Sequence, residues 1–248
     1  MSGCFVVGTD TETGKTVVTA GLVRWLRDRG MDAAPMKPVQ TGATPTETGW
    51  HAPDLDTVLA ATDLRPDAAT YARMAPCCYE PACSPHLAAR EAERPVDLAT
   101  ITRALTALRR QHPTIVCEAA GGVLVPLDGE RFMTDLVAAT GLPALLVAHA
   151  GLGTLNHTLL TLEALRARRI PVAATVLTKT EPAGDAETAA IQRDNAAMLD
   201  SLAPTPVFGP IPFMETPDGA RTAAGLDQQA GLLDRLAATG VIDNGGPR

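Results

Sequence analysis

The chain has 248 residues, enough for one large α/β domain with a real core or for two small ones. Hydrophobic residues make up 46% of it and aromatic residues only 3%, so the core rests on Ala, Val, Leu and Ile, and stacking on aromatic platforms is excluded as a main binding mode. Lys and Arg number 21 against 28 Asp and Glu, a net charge of −7 that argues against a nucleic-acid partner.

The one short basic cluster, Arg166, Arg168 and Arg169, lies on a helical stretch and reads as a solvated face. The five cysteines, Cys4, Cys77, Cys78, Cys83 and Cys117, lack the paired spacing of a zinc site and read as reduced thiols. The N-terminus enters a strand directly, and no apolar run reaches the length of a membrane span. The expectation is therefore a cytoplasmic protein with no membrane partner.

In chain order, Cys4 to Val7 reads as a buried strand ended by Gly8. Val17, Val18, Leu22, Val23 and Leu26 recur at helical spacing from Gly14 until Gly30 stops the helix. Ala33 to Met36 is a second strand with Lys37 at its end. Pro38 to Pro53, rich in Thr, Gly and Pro, reads as one long loop, and a helix follows from Asp54 to about Ala61. Ser84-Pro85 opens a helix through Ala92, and another runs from Leu98 to about Arg110. Thr114 to Cys117 is an apolar strand ending in Glu118, and Ala144 to Ala148 is another. A helix from Leu155 to Arg168, a strand from Val172 to Leu177, a helix from Thr188 to Leu202 and a short strand at Val207-Phe208 complete the pattern. The polar tail, about 241–248, is expected to fray. Strands apolar enough to be covered on both faces imply a doubly wound, mainly parallel α/β sheet in a single domain.

Gly8-Thr9-Asp10-Thr11-Glu12-Thr13-Gly14-Lys15-Thr16 satisfies the Gly-x4-Gly-Lys-Ser/Thr pattern between a strand and a helix. The glycines let successive amides turn inward to phosphate oxygens, and the helix adds its positive N-terminal end. Lys15 sets a cation against the outer phosphates, and the Thr16 hydroxyl is the usual magnesium ligand. Glu118, at the end of an apolar strand, is a candidate for the same metal. Asp54 reads either as a metal ligand or as a helix cap, with Asp56 able to stand in its place. Lys37 reads either as a charge-neutralising group beside the transferring phosphoryl or as a surface lysine. His86, His149 and His157 read as packing or hydrogen-bonding residues, because no partner motif marks a nucleophilic triad.

These pieces together resemble the dethiobiotin synthetase family of P-loop NTPase fold. The resemblance rests on the phosphate loop and on Lys37-Pro38-Val39-x-Thr41-Gly42. It continues through Ser84-Pro85-His86, Glu118-x-Ala-Gly-Gly122 and Gly153-x-Leu-Asn156-His157, and spans Val6 to about Glu215. It implies a cyclo-ligase that uses ATP, Mg2+ and CO2 or bicarbonate to close a cyclic urea on 7,8-diaminopelargonate. The route implied runs through an N-carbamate and a carbamic–phosphoric anhydride, with Lys15 and Lys37 as the catalytic cations. Thr16, Asp54 and Glu118 are then the metal residues, and Glu12, Thr13, Gly14, Lys15 and Thr16 wrap the phosphates, with Gly121 alongside. Thr11, Lys37 and Thr41 face the diamine and carbamate. Gly153, Thr154, Leu155 and Asn156 resemble a turn that reaches the substrate carboxylate from a partner subunit, implying a homodimer.

Thr178 stands where the family commonly carries an asparagine that reads adenine, and a threonine cannot copy that paired donor and acceptor. Pro212, Phe213 and Met214 are candidates for the apolar side of the base pocket. Three rival readings are an amide-forming P-loop ligase, a partition-type nucleotide-switch dimer and a nucleotide-binding domain without catalysis. The first usually carries a further domain that the length leaves no room for, and the second an early loop lysine where this chain has Thr9. Against the third, Lys15, Thr16, Lys37 and Glu118 are all present.

Overall fold

The computed structural model describes residues 2–182 and 184–242. The chain opens with strand β1 (Ser2–Gly8), the phosphate loop and helix α1 (Lys15–Asp28), then returns as β2 (Ala33–Met36). The stretch expected as one long loop is instead three short strands, β3 (Val39–Thr41) and the hairpin β4 (Thr44–Thr46) and β5 (Gly49–His51). Helices α2 (Pro53–Ala61) and α3 (Ala68–Met74) lead to β6 (Cys77–Tyr79), which pairs in parallel with β3. Helices α4 (Pro85–Glu91) and α5 (Leu98–Gln111) precede β7 (Thr114–Gly122). The order then alternates through α6 (Met133–Thr140), β8 (Ala144–His149), α7 (Thr154–Ala167), β9 (Val172–Thr178), α8 (Ala186–Leu202) and β10 (Val207–Ile211). Helices α9 (Gly219–Asp227) and α10 (Leu232–Ala238) follow.

The main sheet has six strands in the order β10-β9-β8-β1-β7-β2, and every pairing in it is parallel. Side chains of a strand alternate between faces, and both faces here are covered. Phe5 and Val7 of β1 join the cluster that includes Ile101, Leu105 and Leu108 of α5. Cys4 and Val6 join the opposite cluster with Val18, Leu22 and Leu26 of α1. The chain leaves β1 toward β2 and β7 on one side and later returns to β8 on the other. The switch point of the topology therefore falls at the C-terminal end of β1, where open α/β sheets bind ligands. The expected doubly wound parallel fold is the observed one.

The tail expected to fray from about 241 begins differently. Val241 and Ile242 are buried, and the Val241 carbonyl accepts from the Gly3 amide. The rest of that tail, 243–248, lies outside the described residues. All five cysteines are free thiols, with Cys83 half-buried and the others buried.

Helix α9 lies closely against α1 because Gly21 has no side chain. A Cβ there would stand 2.2 Å from Thr222 Cγ2. Thr222 in turn contacts Met214 Sδ through its hydroxyl, at 3.4 Å, so this helix pair sets the wall of the cleft described below. In an ordinary helix interior Gly→Ala stabilises by about 1 kcal/mol. Here Gly21→Ala is expected to do the reverse, lowering stability by about 1–3 kcal/mol through overpacking, read as a lower denaturant midpoint.

Candidate active site

The phosphate loop curls over the end of β1. A Cβ on Gly8 would meet Thr13 Oγ1 at 2.7 Å, the Asp10 carbonyl at 2.9 Å and Lys15 Nζ at 2.9 Å, so only glycine lets the loop close there. Gly14 has φ 84°, a left-handed conformation, and opens α1 without a side-chain cap. The first amides of the helix thus have no capping side chain and suit an anion.

Lys15 donates to the loop's own Asp10 carbonyl at 2.6 Å. Burial pulls the Lys15 ammonium down to about 8, and the nearby Lys37 charge adds to this, against partial relief from Glu118, Asp54 and Asp10. Its positive form therefore costs stability below about pH 8, and the cost is relieved as the pH rises toward 10.5. A phosphate would remove the same strain.

Lys37 is in the opposite condition. It is buried, and its ammonium donates to Glu118 Oε1 at 2.7 Å and the Ala119 carbonyl at 3.1 Å, and pairs with Asp54 Oδ2 at 2.6 Å. All three of its donors are used. Burial alone would lower its pKa, but Glu118 and Asp54 outweigh this and hold it above the usual lysine value. Its contribution to stability is present below pH 10.5 and lost only as the pH rises through that raised value. The surface-lysine alternative is thereby excluded.

Asp54 reaches this cluster because Pro53 starts α2 and Ala52 takes the cap position, so Asp54 is not the cap. The side chain that serves the helix end is Gln40, whose Oε1 accepts from the Asp54 amide at 3.2 Å while its Nε2 donates to the Thr41 carbonyl at 2.8 Å. Asp56, the alternative to Asp54, points elsewhere: it accepts from the Tyr71 hydroxyl at 2.8 Å and pairs with His51. Thr16 Oγ1 donates to Glu118 Oε1 at 2.9 Å, bringing the loop's hydroxyl to the same carboxylate.

Among the described residues there is no cluster of three or more His, Cys, Asp or Glu able to hold a metal. Thr16, Glu118 and Asp54 nevertheless form a hard-oxygen set of one hydroxyl and two carboxylates. That set fits Mg2+, which takes one or two carboxylates and completes its shell with phosphates and water. The two carboxylates already share a cation, the Lys37 ammonium.

These groups open into a cleft of about 590 Å3 that runs from the phosphate loop to the end of β10. Thr11, Glu12, Gly14, Lys15, Thr16, Lys37, Thr41, Asp54, Glu118, Gly121, Thr178, Pro212, Phe213 and Met214 all line it. Thr13 does not; its side chain is turned inward, 2% exposed. Gly153, Thr154, Leu155 and Asn156 start α7 and do not line this chain's cleft. Gln40, Lys179, Thr180 and Glu215 line it and were not singled out from sequence. Gln40 occupies the variable place in Lys-Pro-Val-x-Thr-Gly, where nothing local signals a role. His149 and His157 face one another edge-on at 6.3 Å, outside the cleft.

A parallel sheet with this loop at its switch point defines a P-loop NTPase. A family model described as an AAA domain matches residues 2–221. The cell-division ATPase MinD of Pyrococcus furiosus shares the fold at a TM-score of 0.55 and 18% identity, covering 95% of this chain and 96% of that one. A chain of the MinC:MinD cell division protein complex of Aquifex aeolicus gives 0.56 at 12% identity, covering 100% of this chain and 99% of that one. Closer in sequence are proteins named ATP-dependent dethiobiotin synthetase BioD. That of Anaeromyxobacter dehalogenans is 42% identical over 91% of this chain and 96% of its own length. That of Haloferax mediterranei is 44% identical over 96% and 93%, and that of Pseudomonas aeruginosa 37% over 92% and 96%. The chain belongs to the ATP-dependent dethiobiotin synthetase family. No described helix is long and apolar enough to cross a membrane.

Lys37→Met leaves Glu118 buried without its cation, a change expected to cost about 3–5 kcal/mol. The half-exposed Asp54 arm adds less, being screened by solvent. The melting temperature of the empty protein should fall, and millimolar Mg2+ should recover more of it in the variant than in the wild type. Equal response of the two proteins to Mg2+ would show that Lys37 and the metal do not draw on the same carboxylates.

Proposed function

We propose that the chain, working as a single P-loop domain in the cytoplasm, makes dethiobiotin from 7,8-diaminopelargonate, CO2 and ATP. The observation that carries this is Lys37, held between two carboxylates at the junction of the phosphate loop and the wall bearing Thr11 and Thr41. The family membership of the chain supports the choice of substrate.

In this reading one amine of the diamine adds CO2 and loses a proton, giving a carbamate beside Thr11 and Thr41. A carbamate oxygen attacks the γ-phosphorus and the bond to ADP breaks, forming a carbamic–phosphoric anhydride. The second amine attacks the carbonyl carbon, the ring closes, and phosphate leaves with the bridging oxygen while the amine proton is lost. No covalent enzyme intermediate is required, in keeping with a site that offers cations rather than a nucleophile. The loop amides from Glu12 to Thr16 and the Lys15 ammonium hold the phosphates. Thr16, Asp54 and Glu118 would hold Mg2+, which would neutralise phosphate charge. Lys37, released from those carboxylates, stabilises charge on the transferring phosphoryl. Gly121 borders the phosphates, and Thr178, Pro212, Phe213 and Met214 border the nucleoside. The turn at 153–156 lies off this chain's cleft, and in a homodimer it serves the other subunit's substrate carboxylate.

Phosphate release should depend on the diamine and bicarbonate when assayed with ATP, CTP and GTP, and mass spectrometry should find the cyclic urea. Release that ignores the diamine, with no cyclic urea formed, contradicts the reading. Lys37→Ala should lower kcat by about 10²–10³-fold while nucleotide affinity changes far less. Equal loss of affinity would make Lys37 a ground-state phosphate ligand.

A further inference from the structure

Thr178 ends β9 beneath the phosphate loop, and its side chain is 3% exposed. Its hydroxyl lies 2.7 Å from the Thr13 carbonyl and 3.3 Å from that of Ala148. A hydroxyl has one proton to give, and the shorter distance assigns it to Thr13. The same side chain fills the space under the loop: a Cβ on Gly14 would meet its Cγ2 and Oγ1 at 3.2 Å.

The Thr13 carbonyl shares a planar trans peptide with the Gly14 amide, so the two point in opposite directions. A carbonyl pulled toward β9 turns the Gly14 N–H away from the sheet, into the loop where an anion would sit. Gly14 can accept this plane because its φ of 84° suits glycine. We propose that Thr178 is a positioning residue of the phosphate loop, fixing the Thr13–Gly14 peptide so that its amide faces the phosphates. Its hydroxyl is spent on the loop and is not a reader of the base, although the residue borders the cleft. The wall toward the base is left to groups that line it beyond Thr178, namely Lys179, Thr180 and the 212–215 segment. This rests on the nucleotide reading above but not on the choice of diamine.

The test compares Mg-ATP with Mg-tripolyphosphate, which has no base or sugar, by titration calorimetry in the absence of diamine. Thr178→Val removes the proton at nearly constant volume, and Thr178→Ser keeps it. Thr178→Ala serves as the second hydroxyl-free variant, and the melting temperature of each empty variant confirms folding. Thr178→Val is expected to weaken both ligands by the same factor, about fivefold to tenfold, and Thr178→Ser to restore both. In turnover the loss should fall on the KM for nucleotide more than on kcat. Weaker Mg-ATP with unchanged tripolyphosphate would overturn the proposal and make Thr178 a contact to the nucleoside. Unchanged affinity for both ligands in the valine and alanine variants would overturn it equally. Wild-type protein that bound neither ligand would overturn the nucleotide reading, and this proposal with it.

Discussion

A lysine ammonium removed from water must find carboxylates, and much of this site follows from how Lys37 finds them. Its partners come from separate parts of the chain, Glu118 from β7 and Asp54 from the start of α2, while Lys37 itself follows β2. The cluster therefore ties the edge strand β2 to its neighbour β7 and to the start of α2. The same carboxylates, with the Thr16 hydroxyl, suit Mg2+. An internal cation thus offsets the negative charge of the two carboxylates.

The two lysines divide the work by their environments. Lys37 has every donor satisfied and is held charged, whereas Lys15 is buried, donates to the Asp10 carbonyl and is pulled down to about 8. Lys37 is fixed in place by its paired carboxylates, whereas Lys15 carries a charge that an anion in the loop would relieve. Lys15 opens α1 just after the phosphate loop and Lys37 follows β2, so both lie where the parallel sheet gathers loops from distant parts of the sequence.

The phosphate loop was legible because phosphate binding uses consecutive residues, and Lys37 and Glu118 because each follows an apolar run, although β7 continues past Glu118 to Gly122. What sequence left unread depends on distant partners. The strands Val39–Thr41 and Cys77–Tyr79 are three residues each and exist by pairing with one another, so the first was absorbed into a presumed loop and the second passed unseen. Helix α6 was missed because five of its eight residues are buried and no polar face marks a helical period. Helix α9 has an N-cap in Asp218 that went unread beside the prolines before it, and it owes its place to Gly21 on another helix. Asp54 could not be told from a cap by sequence, since the side chain that relieves it of that task, Gln40, is on a different element. Residues 153–156 have no part in this chain's own cleft, and a reading that gives them one needs a second subunit.

The proposed reaction requires a carbamate oxygen to attack the γ-phosphate within the cleft between Lys15 and Lys37. The most direct measurement supplies 18O-labelled CO2 with the diamine and ATP in a single turnover, fast enough to outrun exchange with water, and weighs the released phosphate. One labelled oxygen per phosphate is the predicted result, because the leaving phosphate keeps the carbamate's bridging oxygen. Phosphate without label, formed while the carbon dioxide is still labelled, would mean that water took the phosphoryl group and would contradict the account.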